Sequence, residues 1–124
     1  MIQKNIINDY ILKMGTAFSG LGCPEYAARK IGVQHTSEYV IDNNKFCRET
    51  LIKNYNPKLV FEDVTNVDGK KLPTVDLYVW GSPCQDLSKS NNNRKGLKGS
   101  KSKYFFEGYR IFHIWSQIRL MSNT

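Results

Sequence analysis

A chain of 124 residues, 40% hydrophobic and 23% charged, has the make-up of one globular domain. No apolar run approaches the ~20 residues of a membrane span, and the opening "MIQKNIINDYILKMG" is too polar for a secretory leader, so an intracellular setting is expected. The net charge of +7 is lopsided: residues 1–88 carry ten basic and ten acidic side chains, residues 89–124 eight basic ones against the single acid Glu107.

The apolar spacing predicts a first strand in "YILKMGTAF" (10–18), running into the Gly20-Leu21-Gly22 turn. Pro24 suits the first turn of a helix that ends at Gly32. "VQHTSEY" (33–39) reads as a second strand, and Asn43 or Asn44 as the cap of a helix "KFCRETLIKNY", with Pro57 beyond its end. "KLVFEDV" (58–64) and "TVDLYVW" (74–80) give two more strands. A polar basic loop over 89–103 leads into a final helix, "YFFEGYRIFHIWSQIRLM". Strands alternating with helices imply an α/β fold with a parallel sheet and right-handed crossovers.

Ligands of such sheets bind beyond the carboxyl ends of the strands. Four features are expected there. The stretch "FSGLG" offers the flat ring of Phe18 and a turn, Gly20 to Gly22, through which a helix N-terminus meets a negative group. Glu38, at the expected end of strand two and roughly 20 residues past that turn, suits ribose hydroxyls. Asp63, ending strand three, suits an exocyclic amine or merely begins the turn "EDVTNVDG"; without the glycine turn, Glu38 would read as a surface carboxylate. The fourth feature is "GSPCQDLS" (81–88), where Cys84 stands at a rigid corner after strand four.

A free thiol is a few per cent thiolate at neutral pH and strongly nucleophilic in that form. Nearby cations, such as the following Lys89, Arg94 and Lys95, would lower its pKa. Cys23 and Cys47 read instead as small core residues. Three cysteines without a C-x-x-C pair and two distant histidines support neither a disulfide framework nor a zinc site. The basic tail suits a polyanion, most simply nucleic acid, with a solvated loop as the plainer alternative.

Taken together, "TAFSGLG", "SEYVID", "EDV", "GSPCQDLS", "RKG" and "FFEGYR" resemble the cytosine-5 DNA methyltransferases, from about Ile11 to His113. In motif style they are closest to the animal de novo and phage types. The resemblance implies a partial Rossmann-like fold of about four strands that binds S-adenosylmethionine. It assigns Phe18, Gly20, Leu21, Gly22, Glu38, Asp63 and Val64 to the cofactor, and Cys84 with Pro83 to the chemistry. Gln85, Ser88, Arg94 and Lys95 are assigned to DNA, with 89–103 as a mobile catalytic loop.

By that resemblance Cys84 attacks C6 of a flipped-out cytosine and C5 accepts the methyl group. Three positions depart from the pattern: Trp80, Pro24 and Tyr104 replace a usual glycine, aromatic and leucine, and Trp80 is expected to crowd the site. The family's Glu-Asn-Val strand, its arginine motif, its target-recognition region and later sheet strands do not occur in residues 1–124. A truncated or split catalytic domain over 1–124 is therefore expected. It would self-associate or meet a complementary C-terminal fragment through the edge of strand four. The other readings are a non-catalytic relic that binds the cofactor, DNA or a full-length methyltransferase, and an unrelated nucleotide-binding fold.

Overall fold

A computed structural model of the chain describes residues 10–81 and 103–122. Four strands, β1 (Leu12–Ala17), β2 (His35–Ile41), β3 (Leu59–Phe61) and β4 (Leu77–Trp80), form one parallel sheet in the order β3-β2-β1-β4. The helices are α1 (Cys23–Lys30), α2 (Lys45–Tyr55) and α3 (Lys103–Ser122), and two single 3-10 turns, Val64–Asn66 and Gly69–Lys71, bridge β3 to β4. No helix among the described residues is long and apolar enough to cross a membrane.

Register matters more here than strand count. Ala17 pairs with both Ile41 and Trp80, and Ile41 pairs with Phe61, so all four strands stop at one level. The strand order also reverses at β1, with β2 on one side and β4 on the other. A reversal at aligned carboxyl ends is where open α/β sheets bind ligands.

Side chains alternate along β1, so Gly15 and Ala17 face one layer and Met14 and Thr16 the other. The first layer is α3: Ala17, Tyr39, Ile41, Val64, Val67, Val75, Tyr78 and Ile111 form its buried core. On the other face Met14, Val40, Ala28 and Leu51 are buried by α1 and α2. Burying Met14, Val40 and Leu51 contributes about 1.5–3 kcal/mol each relative to exposure.

The helix ends follow the sequence closely. Pro lies in the first turn of α1, and Gly32, at φ 80°, provides the left-handed exit just past its end. Asn44 rather than Asn43 caps α2, its Oδ1 accepting from the Cys47 N–H at 3.1 Å. Replacing Asn44 by alanine is expected to cost about 1 kcal/mol, read as a lower denaturation midpoint at unchanged slope.

Three expectations change. β2 begins and ends two residues later than the spacing suggested, which moves Glu38 from the strand end to its interior. β3 is shorter than expected because Asp63 caps a 3-10 turn just past it, and β4 is shorter because it begins at Leu77 rather than Thr74. Cys23 is exposed and Cys47 half-buried, so neither is the core residue it resembled.

Candidate functional site

Beyond the aligned strand ends lies a cavity of about 430 Å³, lined by Phe18, Ile41, Asn43, Glu62, Asp63, Val64, Asn66 and Tyr104. Three strand ends and the first turn of α3 supply it. That volume falls within the range of small-molecule and cofactor pockets.

Phe18 follows β1 directly and holds φ 55°, a left-handed conformation that disfavours side chains other than Gly, Asn and Asp. The strain lifts its ring over the strand end, where Tyr104 packs edge-on at 6.0 Å and 71°. Backbone strain held by its surroundings in this way is commonest at ligand sites. The surroundings are visible: the Ser19 N–H donates to the Ile41 carbonyl at 3.1 Å, and Ser19 Oγ accepts from the Ile41 N–H at 3.2 Å. The turn itself needs Gly20 and Gly22, at φ 57° and 87°, and a Cβ at Gly22 would lie 2.5 Å from the Tyr55 ring.

Asp63 stands on the opposite wall. Its Oδ1 accepts from the Thr65 N–H at 2.9 Å and the Thr65 hydroxyl at 2.6 Å. Those two hydrogen bonds from Thr65 hold the carboxyl below the usual aspartate range, so it is an ionised acceptor at neutral pH. Among the described residues Oδ2 receives only a long 3.4 Å contact from the Asn66 amide and keeps capacity for a ligand donor. A cavity walled by the Phe18 and Tyr104 rings, with the Glu62 and Asp63 carboxylates and the Asn43 and Asn66 amides in its lining, suits an aromatic ring bearing an amino group.

Glu38 is not in this cavity. It is the extra residue of a bulge, since Met14 pairs with Ser37 and Gly15 with Tyr39. It is buried, and its Oε2 forms an ion pair with Lys58 Nζ at 3.0 Å. The acid at the end of β2 is Asp42, whose Oδ2 accepts from the Gly20 N–H at 2.8 Å and Oδ1 from the Asn44 N–H at 2.9 Å. Asp42 thus ties the glycine turn to the start of α2. A strand boundary two residues later would have singled it out in "SEYVID".

Trp80 does not crowd the cavity. Its indole turns under α3, stacked on Tyr78 at 5.6 Å and against Phe112 at 5.5 Å. Tyr104, a departure from the family pattern, forms part of the wall instead. Leu21 is exposed at the glycine turn and Val64 is buried beneath the cavity. Pro83, Cys84, Gln85, Ser88, Arg94, Lys95 and almost all of the 89–103 loop lie outside the described residues. One pairing had no signal in the sequence: Arg110 Nη1 and Nη2 donate to the carbonyls of Val67 and Val64 at 2.9 and 3.0 Å.

A family model for C-5 cytosine-specific DNA methylase matches residues 12–115. The orphan methyltransferase M.SPRI of Bacillus phage SPR is 38% identical over 98 residues, covering 77% of this chain and 22% of that protein. The DNA (cytosine-5)-methyltransferase DRM2 of Oryza sativa subsp. japonica is 28% identical over 108 residues, covering 76% of this chain and 18% of that protein. The chain thus spans about a fifth of the length of these curated relatives. The S. pombe Dnmt2 methyltransferase structure superposes with a TM-score of 0.55 at 24% identity, over 77% of this chain and 30% of its own, a likeness of fold.

Proposed function

The chain belongs to the C-5 cytosine-specific DNA methylase family, and from that membership we infer that it carries the cofactor-binding and nucleophile portion of a DNA cytosine-5 methyltransferase. One observation supports this above the others: a strained Phe18 and an ionised Asp63 face one cavity at aligned strand ends. Such a slot fits the adenine of S-adenosylmethionine, with Phe18 and Tyr104 against the ring and Asp63 Oδ2 accepting from the amine. Val64 backs the ring from below. Asp42 takes the ribose role expected of Glu38, because it alone of the two stands at the strand end.

The turn Gly20-Leu21-Gly22 at the start of α1 is where the methionine end would lie, its carboxylate facing the helix N-terminus. The cofactor supplies an electrophilic methyl group. Cys84, set behind Pro83, would add to C6 of a flipped cytosine, so that C5 becomes the carbon nucleophile. Gln85, Ser88, Arg94 and Lys95 would hold the DNA, and the excess cationic charge of 89–124 would supply sequence-independent attraction. β4 is a sheet edge among the described residues, and its open side is where a strand from a complementary methyltransferase portion would pair.

Calorimetric titration with S-adenosylhomocysteine tests the cofactor half of this reading. Saturable binding is expected, weakened roughly tenfold to hundredfold in Asp63→Ala by loss of a charged hydrogen bond. Absence of saturable binding would sink it. The chemistry is tested by trapping on 5-fluorocytosine DNA with S-adenosylmethionine and a supplied C-terminal methyltransferase portion: a covalent adduct is expected, and none in Cys84→Ser. If cofactor binding persists while trapping fails, the non-catalytic, regulatory reading takes its place.

A further inference from the structure

Asp63 reads a ligand only if the turn that carries it is held still. That turn is a single 3-10 turn, Val64–Asn66, too short to fix itself. Val64 anchors its apolar side in the core. Its polar side is held from α3, where Arg110 spans the turn by donating through Nη2 to Val64 O and through Nη1 to Val67 O. Arg110 Nε donates to Glu107 Oε2 at 2.8 Å, which orients the planar fork from the preceding helical turn.

The same helix carries Tyr104 against Phe18. One rigid rod therefore sets the spacing of both walls of the slot, through an aromatic contact on one side and a guanidinium on the other. Lysine cannot substitute, since a single ammonium does not reach two carbonyls and a carboxylate in this planar arrangement.

We propose that Arg110, oriented by Glu107, is a positioning residue that sets the preference of this cavity for a 6-amino purine over a 6-oxo purine. The inference rests on the cofactor reading above and goes beyond it. Asp63 as an ionised acceptor welcomes an amine and repels a carbonyl oxygen, but only at a fixed distance from the ring.

The test compares S-adenosylhomocysteine with its inosine counterpart, S-inosylhomocysteine, by calorimetry on the full chain and on Arg110→Met, Arg110→Lys and Glu107→Gln. The unsubstituted chain should prefer the adenine compound by roughly tenfold or more. In Arg110→Lys and Arg110→Met that preference should fall to within about twofold while the affinity for the inosine compound stays nearly constant, with Glu107→Gln between. Equal losses for both compounds, or an unchanged preference, would overturn the proposal. Where Arg110→Met fails to fold, the two milder variants decide.

Hydrogen exchange separates the proposal from the reading beneath it. The Thr65 amide, bonded to Asp63, should exchange about tenfold faster or more in Arg110→Lys, with β1 and β2 amides unchanged. If the unsubstituted chain binds neither compound, the cofactor reading fails and this exchange result alone decides whether Arg110 positions the turn. Unaltered Thr65 exchange would overturn it.

Discussion

Gly108→Ala is expected to destabilise the chain by about 2–3 kcal/mol, lowering its melting midpoint by roughly 10 °C. Taken alone, the substitution should help: alanine in a helix interior gains about 1 kcal/mol over glycine. Packing reverses the sign. A Cβ at Gly108 would lie 2.2 Å from Trp80 Cδ1 and 2.6 Å from Nε1. The indole has nowhere to go, being held between Tyr78, Phe105 and Phe112 at centroid distances of 5.6, 6.4 and 5.5 Å. The helix would have to lift instead, which breaks the 3.2 Å hydrogen bond from the Tyr78 hydroxyl to the Gly108 carbonyl. A double substitution, Trp80→Val with Gly108→Ala, should recover much of the loss, because it removes the ring that the methyl group strikes. Differential scanning calorimetry on the four proteins of this cycle checks the coupling; additive effects would refute it.

That pair also explains what could be read from the sequence. Trp80 stood out in "VDLYVWGSP" as a bulky residue beside the site, but its partner Gly108 lies a whole helix away. Only the sheet register, which sets Ala17 against Trp80, and the crossing of α3 over β4 decide that the ring points away from the cavity. The period-2 and period-3.6 patterns located all seven main elements, because each buries a face and the spacing records that face. They misplaced the end of β2 because "SEYVID" holds two acids. Glu38 is buried by a bulge and an ion pair with Lys58, neither of which follows from alternation. Phe18 and Asp63 were legible since each lies within two residues of a strand's carboxyl end. Arg110 could be read in "FFEGYR" only as part of a motif, since its capping of two carbonyls of a distant turn is set by how α3 packs and not by local spacing.

A second large effect is expected at Glu25, where glutamine should stabilise the fold at neutral pH by about 1–3 kcal/mol. Glu25 lies in the first turn of α1 and is fully buried under the glycine turn. Its Oε1 meets the Thr16 hydroxyl at 3.4 Å, and its Oε2 has no hydrogen-bond partner among the described residues. Burial pushes the carboxyl above the usual glutamate range, and its own backbone N–H and Thr16 offset that only in part. The helix N-terminus favours the charged form, but desolvation is the larger effect here. A folded-state pKa above the unfolded one means that the folded chain holds its proton more tightly. Stability from this group is therefore complete below the ordinary glutamate pKa of about 4.3 and is lost as pH rises through the higher folded value. Glutamine is neutral throughout, and its amide oxygen can still accept from the Thr16 hydroxyl. The stability difference between Glu25→Gln and the unsubstituted chain should thus be small below about pH 4.3, widen as pH rises toward the higher folded-state pKa, and level off above it. Urea denaturation at several pH values measures it, and an offset independent of pH would show that the buried acid is not its source. Because Gly22 would bring a Cβ within 3.2 Å of Glu25 Oε2, this carboxyl also sits at the floor of the turn proposed to receive the cofactor's methionine end. Ionised, this carboxylate would repel the cofactor's carboxylate, so affinity for S-adenosylhomocysteine should fall as pH rises through the folded-state pKa of Glu25 in the unsubstituted chain and stay level in Glu25→Gln.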